Sequence, residues 1–173
     1  TGRKNLIGIV VPDISNPVWS LIIEEVEGVL AGDGYKLIIV NTKETESREI
    51  DNLKVLSSGM VDGLIIATTL TDYSTVAASV PQGFPMVFID RQLPGCPCDT
   101  IIPQDYPAVY EGICQIAADG HKKIGFISGL MRLSTSQVRL DAYKDALTHC
   151  RISIDQELIL HGNSLAQSAV PLV

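Results

Sequence analysis

The side chains able to do chemistry in this sequence gather where its apolar runs end. Asp13, Ser15, Asn16 and Trp19 follow Leu6–Val11, and Thr68 and Thr69 follow Gly63–Ala67. Asp90 and Arg91 close the run that begins at Met86, and Ser134, Thr135 and Arg139 follow Lys123–Ile127. A carboxylate accepts two hydroxyl protons, a guanidinium fork donates to adjacent oxygens, and an indole face covers the C–H side of a ring. That is the chemistry of holding a small polyhydroxylated molecule. Each residue also has a purely structural reading. Asp13 suits a turn, Asn16 an N-cap before Pro17, Trp19 a core and Arg139 a helix surface. Taken one at a time, the structural readings win for most of them; taken together, at corresponding positions around one cleft, the binding reading wins. The candidate binding set is therefore Asp13, Asn16, Trp19, Thr68, Asp90, Arg91, Thr135 and Arg139.

Catalysis finds no such support. No P-loop, GxSxG, HExxH or paired-carboxylate signature is present, and the first strand-to-helix turn has no glycine between Gly8 and Gly28 to admit a pyrophosphate. His121, His149 and His161 lack nucleophile partners at any recognisable spacing and read as structural. Neither an enzyme nor a cofactor is expected. Cys96 and Cys98 are one proline apart, the wrong spacing for a zinc or redox knuckle. With Cys114 and Cys150 they read as reduced structural thiols of a cytoplasmic protein, without metal.

The elements that must position these residues alternate. Near-continuous Ile/Val/Leu runs at Leu6–Val11, Lys36–Val40, Gly63–Ala67 and Met86–Asp90 predict strands of a parallel sheet covered on both faces. Helical spacing predicts helices from Pro17 to about Ala31, Glu44 to Ser58 (apolar face Ile50, Leu53, Val55, Leu56) and Tyr73 to Val80. After Asp90, the proline-rich RQLPGCPCDTIIPQDYP holds one short strand, Thr100–Ile102. A second cycle follows, with a helix from Ala108 to Asp119, a strand from Lys123 to Ile127, a helix from Ser136 to Cys150 and a strand from Glu157 to Leu160. The fold class is α/β, with two doubly wound parallel-sheet lobes and a cleft between them. Residues 1–102 form the first lobe and 103–173 a partial second lobe, which stops after two strands.

Thirteen basic against twenty acidic residues give a formal net charge of −7, and no basic run interrupts it, which speaks against a nucleic-acid surface on this chain. No apolar stretch reaches the roughly 18 residues of a membrane span, and the apolar run after Arg3 and Lys4 is too short for a signal peptide's h-region, with no small-residue cleavage site after it.

IGIVVPDISNPVW, GYKLIIVNT, VDGLIIA, PMVFIDRQ, DGHKKIGFISG and STSQVRLDAYKDAL occur in an order and spacing that resembles the lactose/galactose-repressor (LacI/GalR) family of bacterial transcription regulators, nearly to Gly162. The resemblance implies an effector-binding and dimerisation core, similar in fold to periplasmic sugar-binding proteins. It also implies a sugar-class effector, a homodimer, and operator DNA contacted only through a helix-turn-helix domain that would precede Thr1. By the same resemblance Asp13, the Val18-Trp19 pair, Asp90-Arg91, and Thr135 with Arg139 match effector-site positions. Three residues depart from the pattern: Val18 replaces an aromatic, Pro103-Gln104 an Asp-Asn pair, and Ala142 a glycine; the closing HGNSLAQSAVPLV follows it weakly. The rival reading is a periplasmic sugar-binding protein serving a transporter, which would need an export signal.

Overall fold

In the computed structural model, which describes residues 2–163, the first strand, β1 (Leu6–Val11), lies inside a five-stranded sheet. Around it stand β2 (Lys36–Asn41), β3 (Gly63–Ile66), β4 (Met86–Ile89) and β5 (Thr100–Ile101), in the order β2-β1-β3-β4-β5. Every pairing is parallel, with Ile9 opposite Ile39 and Ile65. The chain first steps outward from β1 to β2 through α1 (Pro17–Gly32). It then crosses back over β1 to β3 through α2 (Glu46–Ser57), and on to β4 through α3 (Tyr73–Ala77). Right-handed crossovers in opposite directions put α1 on one face and α2 and α3 on the other. The core follows that division. Ile9, Val11 and Ala67 bury against Trp19 of α1, while Val10, Leu64, Ile66 and Phe88 bury against Leu53, Leu56 and Val76.

Gly8 faces the α2 side, where a Cβ would stand 2.7 Å from Leu64 Cδ2 and 3.2 Å from Leu56 Cδ1. Gly8→Ala therefore overpacks this core against Leu64 and Leu56. We expect a loss of about 1–3 kcal/mol, read as a lowered urea midpoint with an unchanged m-value.

The chain divides into two compact units after Ile102. In the second, α4 (Asp105–Ala118) and α5 (Ser134–His149) accompany a parallel pair, β6 (Phe126–Ser128) and β7 (Ile159–His161). Its core holds Ile113, Ile124, Leu140, Leu147 and Ile159 around the fully buried Tyr143, whose hydroxyl donates to the Ile124 carbonyl at 2.8 Å. The Tyr143 ring stacks on Phe126 at 4.9 Å. Cys96 and Cys98 pack against the first unit's core, and the free Cys114 and Cys150 sulfurs lie 3.6 Å apart in the second.

Element boundaries differ from the sequence reading where backbone chemistry intervenes. The second helix starts at Glu46 and not Glu44, because Lys43 and Glu44 take left-handed φ values of +52° and +53°. Asp90, at φ +69°, likewise ends β4 at Ile89. The third helix stops at Ala77, short of Pro81, whose ring disfavours helical backbone in the residue before it. The fourth begins at Asp105, since Pro107 falls in the first turn, where its missing N–H leaves no bond unmade. β6 starts three residues later than expected because, among the described residues, it pairs only with the short β7. β7 is itself displaced by a 3-10 turn at Gln156–Leu158 that the Asp155 side chain caps. On α2, Val55 is 54% exposed, and Glu49 occupies the buried face in its place. The reading of the chain's last residues, 164–173, lies outside the described residues.

Candidate functional site

In a sheet of order β2-β1-β3-β4-β5, the loops after β1 and β3 leave toward opposite faces, and the crevice between them is where ligands of such sheets bind. The residues following β1 are Pro12 and Asp13. One carboxylate oxygen of Asp13 builds a turn, as Oδ1 accepts from Ser15 N at 3.0 Å and Ser15 Oγ at 2.6 Å, and the Asp13 carbonyl accepts from Asn16 N at 3.1 Å. Among the described residues no donor reaches Oδ2. Asp13 thus does its turn work with one oxygen and presents the other at the sheet edge, half-buried. Asn16 caps α1, its Oδ1 accepting from Val18 N at 3.1 Å, so the structural role predicted for it holds that oxygen. Trp19, 6% exposed, packs with Ile9, Val11 and Ala67. Its ring is a core element beside the turn and not an open platform.

Across the crevice, Thr68 and Thr69 follow β3 and are buried against Glu49 of α2, which has no exposed surface. Thr68 Oγ1 donates to Glu49 Oε1 at 2.6 Å, while Thr69 N and Oγ1 donate to Oε2 at 2.5 and 2.7 Å. Thr68 Oγ1 also accepts from Leu70 N at 3.0 Å. The Thr68 hydroxyl is therefore engaged inside the unit, which corrects its placement as a donor toward a ligand. Burial pushes the Glu49 carboxyl up from the ordinary glutamate range, against the opposing pull of these hydrogen bonds and of Arg91.

Arg91 is the second correction. Its side chain is only 7% exposed. Nη1 donates to Glu44 Oε2 at 2.9 Å and to the Thr68 carbonyl at 2.8 Å, and Nη2 to Glu44 Oε1 at 2.5 Å. Nε lies 3.4 Å from Asp90 Oδ2 without hydrogen-bond geometry. The fork predicted to hold a ligand instead holds Glu44. Asp90 stays half-buried at the same edge.

In the second unit, α5 starts at Ser134, two residues before the expected Ser136, so that Thr135 joins Arg139 in its first turns. Thr135 is half-buried, and Arg139, with a side chain 45% exposed, donates from Nε to Asp105 Oδ2 at 2.9 Å. Ser128 Oγ and His161 Nδ1 meet at 2.7 Å across β6 and β7, a structural use of that histidine.

The structure thus brings Asp13, Thr68, Asp90 and Arg91 to one sheet edge and keeps Thr135 and Arg139 together on α5. Sequence reasoning missed Glu44 and Glu49. Glu49 had a signal, since it shares the i, i+4, i+7 row with Leu53 and Leu56 and so must point inward. Glu44 had none, because its role depends on Arg91, 47 residues away. Among the described residues no three His, Cys, Asp or Glu side chains could hold a metal ion, and no helix is long and apolar enough to cross a membrane.

Comparison with known proteins bears on what this edge belongs to. The HTH-type transcriptional regulator PtxS of Pseudomonas plecoglossicida is 33% identical over 147 residues, covering 84% of this chain and 43% of that protein. A periplasmic binding protein/LacI transcriptional regulator from Alkaliphilus metalliredigens, complexed with D-xylulofuranose, superposes with a TM-score of 0.85 at 22% identity, over 97% of this chain and 60% of that one. The Cra transcriptional dual regulator of Pseudomonas putida, in complex with fructose 1-phosphate, gives 0.82 at 22% identity, over 93% and 59%. At those identities the two structures speak to the fold. The chain spans about half the length of the curated relatives it matches. The family described as periplasmic binding proteins and sugar binding domain of LacI family matches residues 4–172, and this chain belongs to it.

Proposed function

We propose that the chain is the effector-sensing core of a LacI-type transcription regulator and that its effector is a small polyhydroxylated molecule of the sugar class. The observation that carries this is Asp13, at the crevice between β1 and β3, with one oxygen fixed in a turn and the other turned to no donor among the described residues. A carboxylate so held is pre-organised to accept from ligand hydroxyls. Asp90 offers a second carboxylate at the same edge; Thr135 and Arg139, on α5, remain candidate ligand contacts by their match to the family's effector positions. Asn16, Trp19, Thr68 and Arg91 support the edge from behind. The regulators PtxS, PurR and CytR among the relatives favour this reading over a transport protein, and the sugar complexes of the two neighbours favour the ligand class. Binding, and not catalysis, is the activity. In the full-length protein, operator DNA is contacted by a separate helix-turn-helix domain, in the cytoplasm, and sugar binding shifts operator affinity by the difference in sugar affinity between the two conformations. Thermal-shift titration of the full-length protein with D-xylulose, fructose 1-phosphate and a wider sugar panel tests the ligand class. A saturable rise in Tm with one sugar supports it, and a flat response across the panel refutes it.

The same reading includes a homodimer. On α1, Val18, Leu21 and Val29 are 58%, 64% and 70% exposed, while Ile22 and Ile23 pack toward the sheet. A helix apolar on two sides buries two faces; the outer one is proposed to meet a second copy about a two-fold axis. Leu21→Glu in the full-length protein is expected to shift sedimentation from dimer toward monomer at micromolar concentration. A wild type that sediments as a monomer would remove the dimer from the account.

A further inference from the structure

The candidate edge contains a buried ion pair, Glu44 with Arg91, and three non-glycine residues in or beside it, Lys43, Glu44 and Asp90, hold left-handed backbone. L-residues rarely adopt that conformation unless their surroundings impose it. We propose that Glu44 and Arg91 are positioning residues, a brace that sets the Asp13 carboxylate at the angle the effector requires; this rests on the reading of Asp13 as an effector contact.

The connection is continuous. Glu44 N donates to the carbonyl of Pro12, the residue before Asp13, at 3.1 Å. The Glu44 carboxylate takes both Nη atoms of Arg91, and Arg91 Nη1 reaches the Thr68 carbonyl. Thr68 Oγ1 in turn holds Glu49. The loops after β1, β2, β3 and β4 are thereby tied through one guanidinium, with Glu44 and Arg91 side chains 5% and 7% exposed. A buried ion pair is weak as a source of stability, because desolvating two charges offsets their attraction, whereas its directional bonds define one geometry. That fits a part whose product is the orientation of Asp13. Two expectations separate it from a general structural role. Disturbing the brace should loosen the Asp13 turn selectively, and it should weaken sugar binding without removing any ligand contact.

The test uses the full-length protein as wild type, Glu44→Ala, Glu44→Gln and Asp13→Asn. Amide exchange of Ser15 and Asn16, whose N–H groups bond Asp13, is compared with that of Ile9 and Val10 in β1, and affinity is measured by titration with D-xylulose and fructose 1-phosphate. We expect Glu44→Ala to speed exchange at Ser15 and Asn16 at least about tenfold while Ile9 and Val10 hold. Sugar affinity should fall about tenfold, the scale of one misplaced hydrogen bond to a charged group. Glu44→Gln, which keeps an acceptor facing Arg91, should fall between Glu44→Ala and wild type in both readouts. Unchanged exchange at the turn, or an equal rise at all four amides, overturns the brace whatever the affinities show. The turn amides responding as expected while wild type binds neither sugar supports the brace and counts against the sugar reading. Selective loosening of the turn with undiminished affinity for a sugar that wild type binds overturns the positioning role.

Discussion

Glu49→Ala is expected to lower the unfolding free energy by about 3 kcal/mol, from the roughly 1–3 kcal/mol that each buried donor left without an acceptor costs. The substitution removes the carboxylate that accepts from the Thr69 N–H and from the Thr68 and Thr69 hydroxyls, in a region with no exposed surface at Glu49 and Thr69. Urea unfolding of the full-length protein reads it. The pH dependence gives a second, independent readout. Burial raises the Glu49 carboxyl in the folded state, so between the ordinary glutamate range and that raised position the native state binds a proton that the unfolded chain has lost. Stability then falls as pH rises through this window, the reverse of a salt-bridged carboxylate. Its contribution is fully present below the unfolded pKa and lost as pH passes the folded one. Glu49→Gln, which keeps the shape and cannot titrate, should remove that slope. A wild type and a Glu49→Gln protein whose stabilities stay parallel from acid to neutral pH would show that Glu49 titrates normally.

Asp13→Asn is expected to weaken sugar binding by roughly ten- to over a hundredfold, the about 1.5–3 kcal/mol carried by a hydrogen bond to a charged group. Asparagine retains an oxygen for the Ser15 bonds, so the turn persists while the free acceptor becomes a neutral amide. Arg139→Ala is expected to fall in the same range for affinity. Its pair with Asp105 lies on a side chain 45% exposed, and exposed pairs contribute about 0–1 kcal/mol, so the fold should be nearly unaffected. Trp19, the only tryptophan in the chain, gives a signal through the turn it packs beside. Affinities equal to wild type in both variants would return Asp13 to being a turn residue and Arg139 to being a surface one.

The parallel sheet was legible in the sequence because continuous Ile/Val/Leu runs have few other folded uses, and Asn16-Pro17 marked the start of α1 to the residue. Boundaries set by single backbone conformations were not. Nothing in LysGlu predicts left-handed φ, and the displacement of β7 depends on the Asp155-capped turn before it. At the site, residue types after strand ends pointed to the proposed edge, but the division of labour within it stayed hidden. A guanidinium is equally fit to hold a ligand or a carboxylate, and only the position of Glu44, brought alongside by the β2–α2 loop, decides for the carboxylate in Arg91. Thr68 and Trp19 turn into the unit, and the sequence could not decide this, since a hydroxyl or indole next to a crevice can turn to either side.

The central claim, that this chain couples sugar binding to DNA affinity, is tested most directly by linkage in the full-length protein. Its preferred genomic fragment, selected by binding, is titrated with and without saturating sugar, and the sugar is titrated with and without the fragment. The account predicts that each ligand changes the affinity of the other by the same factor, about 5- to 150-fold, and that Asp13→Asn shifts the sugar concentration needed without changing DNA affinity in its absence. A DNA affinity identical with and without a sugar that binds would contradict it.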